Sequence, residues 1–356
     1  MDFFSILMLV FAILGALDRL FGNHFGIGKE FERGFMLLGN MALSMIGILV
    51  LSPLIAEWLA PCFQWFYNTF GIDPAMIPAV LFANDLGGAS LSKAVAQNEE
   101  LGMFFAMIVS AMMGCTISFT VPYALGIVEK KHHKDMFFGF LCGIVTIPTG
   151  CMFAGVMLHL PLGTLLINLL PLLLLSTVIA LGLKFAPQFT VKAFAAVGGF
   201  IKVIITIGLS LGMVEYITGY TVLEGLAGLQ ESASICVNAA VVLSGAFPFM
   251  YVVSKLLAKP LQKIGDILTI NDTSAMGFIA SVVTSTTTFE MMNRMDRKGI
   301  ILNAAFSVSA AFALGTHLAF TMAFDSSYIP AMIVAKLISG VFAVVAAGLL
   351  IGRDGN

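Results

Sequence analysis

The amino-acid sequence predicts an all-α polytopic membrane protein built as an inverted repeat of helix, helix, hairpin, helix, helix. Three observations lead to this prediction: the composition, a series of long apolar runs, and two interrupted segments roughly 200 residues apart. Of the 356 residues, 59% are hydrophobic and only 11% are charged, whereas a soluble domain carries about 25% charged residues. The net charge of −2 does not favour a nucleic-acid partner, because such partners select strongly basic surfaces.

Nine apolar runs are long enough to cross a membrane, since a spanning helix needs about 20 predominantly apolar residues. Residues 186–201, which contain Lys192, precede the sixth run and are expected to form an interfacial stretch. The runs lie near residues 4–22, 34–58, 102–127, 135–158, 160–183, 202–220, 234–258, 300–323 and 329–352.

Two further segments, 72–100 and 271–298, are only half apolar and have small, polar centres. Non-helical backbone at membrane depth is tolerated only where protein or water surrounds it. Paired interrupted segments in the two halves of a chain point to a transporter's substrate site. We therefore expect two re-entrant hairpins, and the alternative is that both segments cross, giving 11 spans. The centres are Asn84-Asp85-Leu86-Gly87-Gly88 and Thr284-Ser285-Thr286-Thr287-Thr288.

The distribution of Lys and Arg favours the hairpins, because basic loops remain on the cytoplasmic side. If both segments re-enter, every basic loop is cytoplasmic and every loop without Lys or Arg is external. If both segments cross, the basic loop 129–134 becomes external. The prediction is nine crossings, with the N-terminus outside and the C-terminus in the cytoplasm. The basic regions are 19–33, 129–134, 184–202, 255–263 (with Lys259 and Lys263), 294–298 and Arg353.

Similar residues recur at an offset of 197–199 along the chain; for example, Asp73 recurs as Asp272 and Gly143 as Gly340. Because five crossings separate equivalent helices, the two halves have opposite orientations, which is a common plan among secondary transporters. The predicted units are a first repeat over 1–158 with the hairpin 72–100, a linking helix and interfacial stretch over 159–201, and a second repeat over 202–356 with the hairpin 271–298.

The tip of the first hairpin has the composition of a cation site. An ionised carboxylate at the centre of a span costs roughly 2.5–3.5 kcal/mol on insertion scales, so Asp85 is the first candidate ligand. Asn84 adds an amide, while Gly87 and Gly88 permit a tight reversal and close approach of a ligand to the backbone. An alternative role for Asp85 is to cap the second arm of the hairpin.

The tip of the second hairpin offers the hydroxyl groups of Thr286, Thr287 and Thr288, and the ring of Phe289 can face a cation. Hydroxyls in membrane helices also commonly bond to the backbone four residues earlier, which is the alternative for the threonines. The five cysteines have no C-x-x-C spacing. We therefore expect no metal and no cofactor.

Three other ionisable residues leave alternatives open. Glu290 either completes a second carboxylate site or neutralises Lys93. His317 is either a buried structural histidine or a proton carrier. Lys336, two turns into the last apolar run, either extends to the interface or pairs with Asp325.

Several of these residues lie in motifs that resemble the ethanolamine-utilisation transporter family, EutH, and the resemblance extends over essentially the whole chain. It implies a multi-pass permease of the bacterial inner membrane that carries ethanolamine, a small primary ammonium with one hydroxyl. A carboxylate suits the ammonium, and an amide or threonine suits the hydroxyl. The motifs are Gly15-Ala16-Leu17-Asp18-Arg19, Asp73-Pro74-Ala75-Met76, Ala83-Asn84-Asp85-Leu86-Gly87-Gly88 and Thr286-Thr287-Thr288-Phe289.

Two other functions remain open at this point. One is ion-coupled transport of another small amine or polar solute. The other is an intramembrane enzyme that uses Asp85 and Glu290 as a carboxylate pair, although no nucleophile elbow or phosphate loop favours catalysis. The expected partners are ethanolamine and membrane lipid, and a homo-oligomer stays open.

Overall fold

The computed structural model describes residues 3–351, with the side chains of residues 257–264 excepted. Three of the basic residues behind the predicted orientation, Lys259, Lys263 and Arg353, therefore lie outside what is described. The described part of the chain is predominantly helical and contains no β-strand. Its α-helices are α1 (Phe3–Leu20), α2 (Ile27–Met36), α3 (Leu38–Phe70), α4 (Met76–Leu81), α5 (Gly88–Val95), α6 (Glu99–Phe104), α7 (Val121–Ile127), α8 (His133–Met157), α9 (Leu162–Phe185), α10 (Pro187–Thr218), α11 (Leu229–Leu268), α12 (Asp272–Val283), α13 (Ser285–Met292), α14 (Arg297–Ala310), α15 (Thr316–Asp325) and α16 (Ile329–Ile351).

Within residues 3–351, eight stretches are long and apolar enough to cross a membrane. The predicted class, an all-α multi-pass membrane protein, is therefore confirmed. The stretches are Phe3–Leu20, Ile27–Phe70, Glu99–Ile127, Lys130–Met157, Leu162–Phe185, Pro187–Thr218, Leu229–Leu256 and Thr316–Ile351.

The number differs from the nine predicted because the apolar run 300–323 is not one helix. α14 ends at Ala310, and α15 begins at Thr316. Between them lies an unwound segment, residues 311–315, in which Phe312 has a positive φ of 62°. The prediction of a continuous helix here is wrong.

Two predicted non-helical regions also differ from the structure. The expected interfacial stretch 186–201 is the first half of the continuous helix α10, so the predicted boundary at residue 201 falls inside a helix. The expected basic loop 255–263 belongs to the backbone of α11. Both regions carry scattered lysines, which mark a membrane interface but do not end a helix.

The most buried span, Glu99–Ile127, is wound unusually. It adopts π-helical winding over Phe105–Gly114 and again over Thr116–Thr120. Wide turns of this kind weaken the ordinary i→i−4 bonding and are frequent at functional sites. Here they lie against the first of the two interrupted segments, which packs on this span through α4 and α5.

Each interrupted segment returns to the place where it begins. In the first, the Asp73 carboxylate accepts hydrogen bonds from the backbone N–H groups of Gln97 (3.0 Å) and Asn98 (2.9 Å). In the second, the Asn271 N–H donates to the Asp296 carboxylate at 2.9 Å. The two arms pack together in both cases, α4 on α5 and α12 on α13.

The same pair of positions closes both segments, with Asp and Asn exchanged. Asn271 and Asp296 lie 198 positions after Asp73 and Asn98. Asn98 caps α6 by accepting from the Leu101 N–H, and Asp296 caps α14 by accepting from the Gly299 N–H. The structural counterpart of Asp73 is therefore Asn271, one residue before the Asp272 that sequence comparison pairs with it.

We predict that Asp73→Ala lowers the thermal unfolding midpoint of the detergent-purified protein by on the order of 5 °C or more. The change leaves three backbone donors, those of Ala75, Gln97 and Asn98, without their charged acceptor, and such bonds contribute about 1.5–3 kcal/mol each. Asp272→Ala is the matched control because Asp272 is exposed. Equal midpoints for the two variants would contradict this role of Asp73.

Candidate functional site

A cavity of about 460 Å³ lies where the two interrupted segments, the unwound segment 311–315 and the start of α15 meet. At roughly 30 Å³ per liquid water molecule, this volume equals about 15 waters, so a small polar solute fits with part of its hydration shell. The residues at the tips and the break that line it are Ala83, Asp85, Val283, Thr284, Thr286 and Phe312.

The first tip forms because the α-helix ends at Leu81 and the next one begins only at Gly88, with a short 3₁₀ turn over Asn84–Leu86 between them. Phe82 is extended, and Gly87 reverses the chain with a φ of 97° that glycine adopts without strain. A Cβ at Gly87 would overlap the Ile48 side chain, and one at Gly88 would overlap the Phe82 carbonyl. Both glycines are thus required by packing, and neither lines the cavity.

Asp85 projects into the cavity, with its side chain 20% exposed. Its carboxylate interacts with the Thr316 hydroxyl and lies 3.9 Å from Nε2 of His317. The neighbouring Asn84 is fully buried, and within the described residues neither atom of its side-chain amide has a hydrogen-bond partner. Buried amides are nearly always bonded, so this one has capacity left for a ligand or water.

A buried polar chain continues from Asp85 through His317 to Lys336. Nζ of Lys336 lies 3.1 Å from Nδ1 of His317 and donates to the Ala111 carbonyl at 2.6 Å. His317 and Lys336 are each only 1% exposed. The predicted alternatives for Lys336, the interface or Asp325, are therefore wrong.

The three predicted threonines of the second segment face three different directions, because successive residues on a helix are rotated by about 100°. Thr286 lines the main cavity and exchanges a 2.7 Å hydrogen bond with Thr284. Thr287 lines a neighbouring cavity of about 250 Å³. Thr288 is buried, and its hydroxyl donates to the Gly277 carbonyl and accepts from Ser281, both at 3.0 Å.

Phe289 and Glu290 lie outside the cavity lining. Phe289 is fully buried, and its ring contacts those of Tyr123 and Phe140 at centroid distances of 6.4 and 6.1 Å. Glu290 is exposed, and among the described side chains it forms no ion pair with Lys93. The ammonium of Lys93 instead lies over the ring of Phe324, 5.4 Å from its centroid.

Sequence reasoning missed Arg33, which lines both cavities. Its guanidinium pairs with Glu30 at 3.2 Å and lies 5.0 Å from the Phe247 ring centroid. Among the described residues lining the main cavity, Asp85 is the single carboxylate. No cluster of three His, Cys, Asp or Glu side chains able to hold a metal ion occurs in the part of the chain that the structure describes.

Comparison with known proteins assigns this arrangement to a family. The model of the family described as ethanolamine utilisation protein, EutH, matches residues 2–350. The chain belongs to the EutH family. The resemblance stated from the tip motifs is thereby confirmed. No solved structure matches the chain.

Relatives in this family match over nearly their whole length. A protein of Listeria monocytogenes named probable ethanolamine permease EutH is 42% identical over 95% of this chain and 91% of its own. The protein of the same name from Salmonella typhimurium is 34% identical over 98% and 95%, respectively. A Bacillus subtilis relative, the uncharacterized protein YxeR, is 36% identical over 96% and 92%.

We predict that Thr288→Val lowers the thermal unfolding midpoint of the purified protein, whereas Thr286→Val leaves it nearly unchanged. Thr288 loses two buried hydrogen bonds, with a cost of about 1–3 kcal/mol, while Thr286 faces a cavity that can admit water. The measurement is thermal unfolding in detergent, and a larger loss for Thr286→Val would overturn the orientation assigned to the two residues.

Proposed function

We propose that this EutH-family protein is a permease that carries protonated ethanolamine across the bacterial inner membrane through the cavity between the two interrupted segments. The observation that supports it most directly is Asp85, a carboxylate that lines a small cavity enclosed by apolar helices. Burying such a charge is costly unless it has a partner, and a substrate cation supplies one. The names of the Listeria and Salmonella relatives agree with this substrate.

In this proposal both interrupted segments are re-entrant hairpins. The longest of their four arms, α12, has 12 residues, which corresponds to about 18 Å of helix, against a hydrocarbon thickness of about 30 Å. α14 and α15 together form a ninth, discontinuous crossing. The exchanged Asp and Asn pairs at the hairpin bases support the repeat, and the distribution of Lys and Arg supports an N-terminus outside and a C-terminus in the cytoplasm.

The substrate contacts follow from the chemistry of the cavity. The ammonium of ethanolamine donates charge-assisted hydrogen bonds to Asp85. The hydroxyl bonds to Thr286 or Thr316, and the unpaired amide of Asn84 reorients to complete the site. The rings of Phe119 and Phe312, both in the cavity wall, cover the two methylene groups.

In this proposal the remaining predicted residues do not contact the substrate in the main cavity. Gly87 and Gly88 shape the first tip, and Thr288 and Phe289 fix α13 in the protein interior. Thr287 lines the neighbouring cavity and Glu290 is exposed, so neither contacts the substrate in this proposal. Exposure of the cavity alternates between the two sides as one group of helices moves against the other.

We predict that Asp85→Asn reduces ethanolamine uptake into proteoliposomes at least tenfold, because the ammonium loses its counter-charge. Expression is retained, and uptake is compared per unit of folded protein in the liposomes. Asp272→Asn, at an exposed position, is the control. Normal uptake by Asp85→Asn would remove Asp85 from the mechanism.

The same liposomes distinguish transport from the two rival functions. Recovery of unchanged ethanolamine from the lumen identifies transport, whereas conversion to a product would identify an intramembrane enzyme. Stronger competition by another amine than by unlabelled ethanolamine would reassign the substrate.

We predict that Thr286→Val reduces the uptake of ethanolamine more than that of ethylamine, which has the ammonium but not the hydroxyl. Losing one neutral hydrogen bond corresponds to a selective effect of about 3–10-fold. Thr287→Val is the matched control because its side chain lines the neighbouring cavity. Equal losses for both amines would show that Thr286 does not recognise the hydroxyl.

A further inference from the structure

Lys336 is a buried cation with no carboxylate in direct contact. Its described hydrogen-bond partners are the Ala111 carbonyl and Nδ1 of His317, and both are neutral groups. A buried ammonium is costly unless a negative charge compensates it. Among the described residues, the Asp85 carboxylate on the other side of the His317 ring interacts electrostatically with Lys336 and supplies this negative charge.

The orientation of His317 follows from its two neighbours. A lysine ammonium only donates hydrogen bonds, so Nδ1 of His317 accepts from Lys336, and the neutral ring carries its proton on Nε2. That N–H lies 3.9 Å from Oδ1 of Asp85, and His317 itself lines the cavity. The ring therefore has an acceptor directed at Lys336 and a donor on the cavity side, which is the arrangement of a proton relay.

Few other charged groups act on the series Asp85, His317 and Lys336. Of the titratable groups on the helices packed around Lys336, the described ones that interact with it are Asp85, His317 and the thiols of Cys115 and Cys151. In the cavity wall, Arg33 is paired with Glu30, and Tyr123 is the remaining titratable group there. Asp85 therefore serves two cations: the resident Lys336 and an incoming ammonium.

The charge balance decides what happens when the second cation arrives. With Asp85 ionised, His317 neutral and Lys336 protonated, the group is neutral before substrate binds. Binding of an ammonium at Asp85 leaves an excess positive charge in a buried region, where uncompensated charge is strongly unfavourable. Loss of one proton from Lys336 restores neutrality.

We propose that the protein exchanges one ethanolammonium ion for one proton, which leaves Lys336 through His317; this inference rests on the proposed function. As the substrate pairs with Asp85, the Nζ–H bond of Lys336 breaks and an Nδ1–H bond forms on His317. The Nε2–H bond of His317 then breaks, and that proton passes to water in the cavity, leaving the electron pair on Nζ.

The return of the proton completes the cycle. After the substrate leaves on the cytoplasmic side, a proton from that side reaches Nζ of Lys336 through His317, and the charge of Lys336 again balances that of Asp85. The net process is electroneutral: one ammonium enters and one proton leaves. The membrane potential therefore does not drive uptake, although the substrate is carried as a cation.

Proton release on binding tests the exchange directly. Titration calorimetry of the purified full-length protein with ethanolamine at pH 7, in two buffers of different ionisation enthalpy, should report about one proton released per ethanolamine bound. Lys336→Met should bind ethanolamine and release none. Lys93→Met, the same change at an exposed lysine, should behave as the unchanged protein does.

The outcomes separate the two proposals. Binding without proton release, or equal release from Lys336→Met, would overturn the exchange and leave the permease intact. Absence of ethanolamine binding to the unchanged protein would reject the permease itself, and the exchange with it.

A second measurement on the unchanged protein keeps the test decisive if Lys336→Met does not fold. In proteoliposomes with a valinomycin-set potassium potential, steady-state ethanolamine accumulation, corrected for protein-free liposomes, should be the same with and without an inside-negative potential. If the substrate moved with its charge uncompensated, each 59 mV would raise accumulation about tenfold. A rise of that size would overturn the exchange.

Discussion

A helix that breaks inside hydrocarbon exposes N–H and C=O groups that only protein or cavity water can satisfy. Here backbone N–H groups at the breaks donate hydrogen bonds to residues of other segments. The Ala83 N–H at the first tip donates to the Ser118 hydroxyl on the π-wound span, at 3.1 Å. The N–H groups of Phe312 and Leu314 donate to carbonyls at the end of α12, at 3.0 and 2.9 Å. The cavity lies among these breaks, so its shape depends on the same bonds.

The two interrupted segments are visible in the sequence because their interruptions are compositional. Glycines and hydroxyl residues replace apolar ones over a short window, and no continuous apolar helix can be built through them. The unwound segment 311–315 gives no such signal. Ala311 and Phe312 are apolar, Gly315 is the one helix-breaking residue nearby, and the bonds that stabilise the break come from α12, about 30 residues earlier.

The candidate site likewise contains features that the sequence predicts and features that it does not. Asp85 can be proposed from sequence because an unpaired charge in an apolar region requires an explanation. The directions of Thr286, Thr287 and Thr288 depend on where α13 begins, which is set by the conformation of Thr284 (φ −158°, ψ 123°). The partners of Lys336 come from two other helical segments, the π-wound stretch and α15, so helical spacing within α16 does not predict them.

The ionisable residues Asp85, His317 and Lys336 do not follow the repeat that the two interrupted segments suggest. At the offset of 198 shared by the bases of the interrupted segments, Asp85 corresponds to Val283, and at the offset of 197 given by Gly143 and Gly340, His317 and Lys336 correspond to Thr120 and Gly139. Two symmetric halves with equivalent charges would place two carboxylates and two buried lysines around one centre. With non-ionisable residues on one side of each pair, the cavity keeps a single carboxylate, and only one ammonium at a time can be neutralised there.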